Sequence, residues 1–251
     1  MEERLNKWLS QMGVCSRREA DRLIEAGKVL VDNRPASMGQ KVTPVQKVVC
    51  NGKMVRVDRS QRPRPVLLAV NKPKGIVCTT TDKDRAENIV DFLGYPERIY
   101  PVGRLDKDSE GLLLMTNQGD LVNKIMRSGN AHEKEYIVTI DKPVTERFLE
   151  QMAGGIRLPE LDQVTRPCKV KKVERNTFSI ILTQGLNRQI RRMCEACGCQ
   201  VKRLVRVRIM NIRLGNLRTG AYRQITKEEY EELTGLLKDS SSLSLKERKN
   251  Q

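Results

Sequence analysis

The stretch 103-GRLDKDSEGLLLMTNQGD-120 decides how the rest of the chain is read. Four acidic residues, Asp106, Asp108, Glu110 and Asp120, stand in it, in a chain that carries 47 Lys and Arg. The acid runs straight into GLLLMT, an apolar run of strand length. Asp106, with Arg104 two residues before it and an apolar strand behind it, belongs at the mouth of something buried. Capping and charge balance account for Asp108, Glu110 and Asp120, the last lying beside the helical run LVNKI.

Asp106 needs another account because of what lies elsewhere. Between Asn187 and Arg218 there are nine basic residues and one acid, and QGLNRQIRRM sets Arg188, Arg191 and Arg192 at one helix start. That concentration exceeds what solvation requires and reads as a phosphate-facing wall. A carboxylate inside such a wall is repelled by phosphate, so its presence there points to chemistry. A cationic partner keeps it ionised, able to act on a nucleotide as nucleophile or general base.

Composition bounds the rest. A net charge of +16 over 251 residues is a statement about partners, and nucleic acid is the first candidate. No apolar run approaches the roughly 20 residues of a membrane span, and the opening MEERLNKWLS lacks a signal-type apolar stretch. A cytoplasmic protein is expected. A basic membrane-surface protein would need aromatic anchors, and the chain has one Trp and three Phe. The seven cysteines are odd in number and scattered, which fits reduced thiols. CEACGC brings Cys194, Cys197 and Cys199 together, but no second cysteine pair is near and the single histidine, His132, is far off in sequence. Packed thiols are the expectation, and no metal. No glycine-rich phosphate loop of the usual kinds occurs, so no nucleotide cofactor is expected, which also counts against a methyltransferase. Monomer is the default.

The chain divides by pattern. ERLNKWLSQMG sets Leu5, Trp8, Leu9 and Met12 on one helical face and stops at Gly13. SRREADRLIEAG opens with Ser16 and has Glu19 three residues on, a capping-box spacing, and ends at Gly27. KVLVDNR reads as a strand and KVVCNGKMVRV as a hairpin turning at Asn51-Gly52. Residues 1–57 therefore form a small module. Residues 1–64 hold 14 Lys and Arg against seven acids, and Arg4, Lys7, Arg17, Arg18 and Arg22 crowd its two helices. That one-signed excess reads as an RNA-binding face. Residues 58–65 read as a linker, 66–236 as the main domain and 237–251 as a charged, low-complexity, disordered tail. Within the main domain VLLAVNKPKGIVCTT, EKEYIVTI, TFSIILT and VRIMNIRLG read as strands. QGDLVNKIMRS, TERFLEQMAGG and NRQIRRMCEACG have helical spacing. The expectation is an α+β fold with a mixed, largely antiparallel sheet.

Three motifs then carry a resemblance. GRLDKDSEGLLLMTNQGDL, HEKEYIVTI and QGLNRQIRRMCE, in that order, are similar to the motifs of RsuA-type rRNA pseudouridine synthases, over roughly residues 3–235. RLNKWLSQMGVCSRREADRLIEAGKVLVDNR resembles the alpha-L RNA-binding module of a small-subunit ribosomal protein and of tyrosyl-tRNA synthetases. Asn187-Arg188 before QIRRM resembles the family's large-subunit branch. The resemblance implies a pseudouridine synthase fold with a central cleft, isomerisation of a uridine in 23S rRNA with tRNA as a further possible substrate, and no cofactor. It implies that Asp106 is the nucleophile and that Arg104 fills the gap left by the displaced uridine. It also implies that Tyr136 stacks on the target ring and that Arg191 pairs with the Asp106 carboxylate. Arg188 and Arg192 are expected on phosphates, and Asn71-Lys72-Pro73 as a cleft wall with Lys72 toward RNA. The rival reading is a non-catalytic RNA chaperone or ribosome-assembly factor of the same fold.

Overall fold

In the computed structural model, residues 2–55, 64–79 and 87–240 are described. They form two compact units divided between Pro65 and Val66, with Pro96–Arg98 grouped with the first. The expected linker at 58–65 falls outside the described residues up to position 63.

In the first unit, helix Leu5–Gln11 buries Leu5, Trp8 and Leu9, the apolar face expected from their spacing. Ser16 caps helix Arg17–Glu25 by accepting from the Glu19 amide at 3.1 Å. Strands Arg34–Pro35, Val29–Val31, Val48–Cys50 and Lys53–Val55 lie in that order in one antiparallel sheet. Asn51 and Gly52 both have positive φ, 51° and 74°, as a two-residue hairpin turn of this hand requires. Helices and sheet share a core of Leu5, Trp8, Leu9, Ala20, Ile24 and Val29 with their neighbours. Arg4, Arg17 and Arg18 are exposed, while Lys7 is half-buried and pairs with Glu3 at 3.0 Å.

The second unit is built on a nine-stranded sheet. Its order runs Lys169–Glu174, Thr177–Leu182, Lys134–Ile140, Val201–Ile209, Glu110–Thr116, Leu67–Lys72 and Tyr222–Gln224. Ile212–Arg213 adds to Val201–Ile209, and Tyr100–Val102 to Glu110–Thr116. Every residue of Leu67–Lys72, and every residue of Glu110–Thr116 after Glu110, is buried, which is why both read as continuous apolar runs. Leu112 and Leu114 face one cluster, with Leu121, Ile125, Ile209, Leu233 and Leu237. Leu113 and Met115 face another, with Leu68, Val70, Ile89 and Leu105. The remaining core lies under the other half of the sheet, around Val138, Phe148, Phe178, Ile190 and Met193. Leu237, 2% exposed, belongs to this fold, and Ser240 bonds His132 at 2.9 Å. The expected tail start at 237 is therefore a few residues early, because the helix Lys227–Leu236 needs Leu237 to close its apolar face. Residues 241–251 lie outside the described chain.

Among the described residues, all pairings in this sheet are antiparallel except one. Glu110–Thr116 runs parallel to Val201–Ile209, with Val205 opposite Glu110 and Arg206 opposite Gly111. Gly111 has φ 103°, and a Cβ there would collide with the Arg206 carbonyl oxygen and lie 2.8 Å from its nitrogen. Only glycine fits so close a backbone approach at that φ. Gly111→Ala is accordingly expected to lower the unfolding free energy by roughly 2–4 kcal/mol, measured by urea titration. An unchanged midpoint would show that the junction tolerates a side chain.

Candidate active site

Two halves of the sheet meet at this parallel junction, and a cavity of about 450 Å³ opens beside it. The GRLD loop forms one wall with Gly103, Arg104, Leu105, Asp106 and Ser109, and the strand Lys134–Ile140 contributes Lys134 and Tyr136. Residues 182–191 and the strand residues Leu204 and Arg206 close it. The loop is tightly held. The Ser109 amide donates to the Asp106 carbonyl at 3.1 Å, closing a turn, and Gly75 N–H donates to the Lys107 carbonyl at 2.8 Å. Cys78 Sγ accepts from the Leu105 amide at 3.4 Å.

Asp106, Tyr136, Arg104, Arg188 and Arg191 thus line one cavity, although Asp106 and Arg191 lie 85 positions apart in the chain. Tyr136 is half-buried and packs against the clusters on both sides of it. Among the described residues the Asp106 carboxylate accepts no hydrogen bond and forms no ion pair, so it is presented to the cavity.

The expected Arg191–Asp106 pair is corrected. Arg191, on helix Gln189–Ala196, donates to the Asp108 carbonyl at 3.1 Å and to Ser109 Oγ at 3.4 Å, and lies 3.4 Å from the Asp108 carboxylate. The turn at 106–109 carries Asp108, not Asp106, toward the helix start. Arg188 adds a bidentate contact to Asp108, at 3.2 and 3.3 Å. Partial burial alone would raise the Asp108 pKa, but the Arg188 bond and the Arg191 charge bring it below the ordinary carboxylate value. Arg188 has left-handed backbone, φ 50°, and stays exposed. Arg192 turns away from the cavity to pair with Glu160. Glu110 pairs with Arg203, and Asp120 sits in the first turn of helix Gly119–Met126, whose cap residue is Gln118. The balancing roles expected of Asp108 and Glu110 hold.

Lys72 is the second correction. It is 0% exposed and its ammonium donates to the Pro73 carbonyl at 2.8 Å, so it does not reach phosphate. The strand that carries it is covered on both faces. Burial lowers its pKa, opposed by Cys78 and then by Asp106, Asp108 and Glu110, which makes Lys72 the buried cation in the field of the acidic loop.

Two cavity residues were missed by reasoning from sequence. Arg206 is 2% exposed and donates from Nε to the Leu112 carbonyl at 2.7 Å and from Nη1 to the Arg104 carbonyl at 3.4 Å. It ties together the two ends of the loop that bears Asp106. Lys134 is 6% exposed, its ammonium donating to the His132 carbonyl at 3.3 Å. Its chain neighbours Glu133 and Glu135 both bond Arg208 instead, at 3.0 and 2.8 Å. The signal available was the strand period, since Lys134 and Tyr136 fall on one face.

Cys194 and Cys199 are buried in the core, Cys197 is half-buried, and burial pushes all three thiols up. Among the described residues no group of three or more His, Cys, Asp or Glu is placed to hold a metal ion, and no helix is long and apolar enough to cross a membrane.

Residues 66–196 match the RNA pseudouridylate synthase family model, and residues 3–49 match the S4 domain. The dual-specificity RNA pseudouridine synthase RluF of Escherichia coli strain K12 is 52% identical over 239 residues, covering 95% of this chain and 81% of the relative. The ribosomal large subunit pseudouridine synthase B of Bacillus subtilis is 36% identical over 93% of this chain and 96% of its own. A crystal structure of a pseudouridylate synthase superposes with a TM-score of 0.67 at 28% identity, over 92% of this chain and 99% of that one.

The Asp108 arrangement has a measurable consequence. Its pKa is lowered on folding, so the stabilisation it gives is present above the unfolded carboxylate value, about 3.9, and is lost as pH falls through the folded one. Asp108→Asn is expected to cost under about 1 kcal/mol at neutral pH, because the group is half exposed. The gap from wild type is expected to close below about pH 4 in acid titrations followed by circular dichroism. A gap that persists there would remove the electrostatic explanation.

Proposed function

The chain belongs to the RNA pseudouridylate synthase family, and from that premise we propose how its cavity isomerises uridine in structured RNA. The carrying observation is the unpaired Asp106 carboxylate, presented to the same cavity as Tyr136. Isomerisation breaks the bond from C1′ to N1, turns the ring, and joins C1′ to C5. A proton leaves C5 and one is gained at N1, so no atom or electron is gained or lost overall. Asp106 acts covalently on sugar or ring, or withdraws a sugar proton while the ring turns. Each role needs a carboxylate oxygen free of competing donors, and among the described residues none donates to Asp106.

The target base leaves its stack at a cost of a few kcal/mol. Stacking on Tyr136 returns roughly 1–3 kcal/mol of this. Arg104, exposed at the cavity wall, fills the space the base leaves in this reading. Arg191 is a positioning residue, holding the Asp108–Ser109 end of the turn through carbonyl and hydroxyl. Arg188 stands exposed at the entrance, where its guanidinium, held by Asp108, adds positive charge on the side that phosphate approaches. The first unit is an S4 domain, and its exposed Arg4, Arg17 and Arg18 contact the RNA backbone by shape and charge. The substrate proposed is large-subunit rRNA, in keeping with the name of the synthase B relative, with tRNA as a second RNA for which the dual specificity named for the RluF relative leaves room.

Asp106→Asn is expected to bind RNA as wild type does and to form no product. Carbodiimide mapping of total RNA with and without the protein locates the uridine, and product from the Asn variant at near wild-type rate would remove Asp106 from catalysis. The double substitution Arg17→Ala and Arg18→Ala is expected to weaken binding of all RNAs similarly. It should reduce the slope of log K against log salt by roughly one for each phosphate that the variant no longer neutralises. An unchanged slope in filter-binding titrations would place the RNA elsewhere.

A further inference from the structure

Lys134 has a location that ion pairing and RNA docking do not explain. It is an ammonium on a residue only 6% exposed, in the wall of the cavity that holds Asp106 and Tyr136. Of its three N–H donors one is used, in a 3.3 Å bond to the His132 carbonyl. Among the described residues no carboxylate lies within ion-pair distance of it. A buried, uncompensated cation is costly and is retained where something anionic visits. The period of two along the strand puts it on the face of Tyr136. A β-bulge between Glu135 and Tyr136 puts Arg206 opposite Tyr136 and Arg208 opposite Glu135. Residues 206 and 208 would otherwise share a face. The bulge sends Arg208 out to the glutamates and Arg206 in toward the cavity, so that among the described residues no acidic side chain pairs with Lys134.

We infer that Lys134 is a further catalytic residue, whose ammonium donates to a ring carbonyl oxygen of the flipped uracil and stabilises the negative charge that accumulates there. The inference rests on the isomerisation proposed above. When the C1′–N1 bond breaks with its electron pair on the base, the charge is delocalised over N1, O2 and O4. If Asp106 instead adds to the ring, charge again passes to a carbonyl oxygen. In either route an ammonium held in a partly dry cavity, on the strand face that bears the stacking tyrosine, meets that oxygen with no reorganisation. A phosphate would demand an ammonium at the rim, and the exposed Arg104 and Arg188 already occupy that position.

Burial, and then the charge of Arg206, lower the Lys134 pKa to about 8. The other charged groups lining the cavity are Asp106, Arg104, Arg188 and Arg191; strand Thr177–Leu182 and helix Gly119–Met126 bring only Leu182 and Met126. As pH rises through about 8 the ammonium is lost, so the single-turnover rate is expected to fall there.

The test uses the full-length protein and a substrate RNA on which the wild type forms pseudouridine, measured as single-turnover rate and dissociation constant across pH. Lys134→Met is expected to lower the rate by about 10²-fold, with RNA affinity unchanged and thermal stability equal or higher, since a buried charge has been removed. Lys134→Arg is expected to keep much of the rate and to move the high-pH fall upward. A folded Met variant at wild-type rate would overturn the inference. So would weakened affinity at unchanged rate, which would mean a phosphate contact, or an Arg variant whose high-pH limb stays in place. That last comparison remains decisive if the Met variant does not fold. Absence of product from the wild type on every mapped uridine would instead overturn the isomerase reading itself.

Discussion

The site depends on one parallel contact, between Glu110–Gly111 and Val205–Arg206, in a sheet that is otherwise antiparallel. Two antiparallel halves, each with its own apolar layers, are joined there without a side chain at Gly111 to keep them apart. The close approach brings the end of the acidic loop against the strand that carries Arg206. The guanidinium then reaches carbonyls on both sides of Asp106, those of Arg104 and Leu112. A flexible loop would let the carboxylate collapse onto the nearest arginine. Here Arg188 and Arg191 are occupied by Asp108, and Asp106 is left to the cavity.

The electrostatics follow from the same division of labour. Asp108 absorbs the cations of the helix start, and Glu110 absorbs Arg203 at the junction. The buried Lys72 lies in the field of all three acids of the loop. On the far wall, among the described residues, no acid pairs with Lys134 or Arg206, so the cavity is acidic at one point and cationic around it. Such an arrangement sacrifices stability, since buried charges without partners are unfavourable. Local rules of folding are broken in this way chiefly at functional sites.

Much of this was legible in the sequence, for physical reasons that differ from element to element. The helix Leu5–Gln11 and the hairpin at Asn51-Gly52 are set by local chemistry, apolar spacing in the first and positive φ in the second. The buried strands announce themselves as unbroken apolar runs. Asp106 stood out because its charge conflicts with its basic surroundings, and the motif resemblance supplied its companions. The parallel junction was not legible, since its partners lie about 95 positions apart and Gly111 looks like any loop glycine. The resemblance paired Arg191 with Asp106, whereas the turn at 106–109, which no short-range pattern encodes, brings Asp108 to it. Lys134 was hidden between two glutamates whose partner, Arg208, is brought to them by a bulge that no short-range pattern encodes.

The most direct test of this account is a crystal structure of the protein bound to its substrate RNA. The expected density has the target uracil out of its stack, its ring on Tyr136, and its ribose C1′ or ring carbon beside the Asp106 carboxylate in the cavity of about 450 Å³. A bound RNA whose uridine stays stacked, with the cavity filled by loop side chains instead, would contradict it.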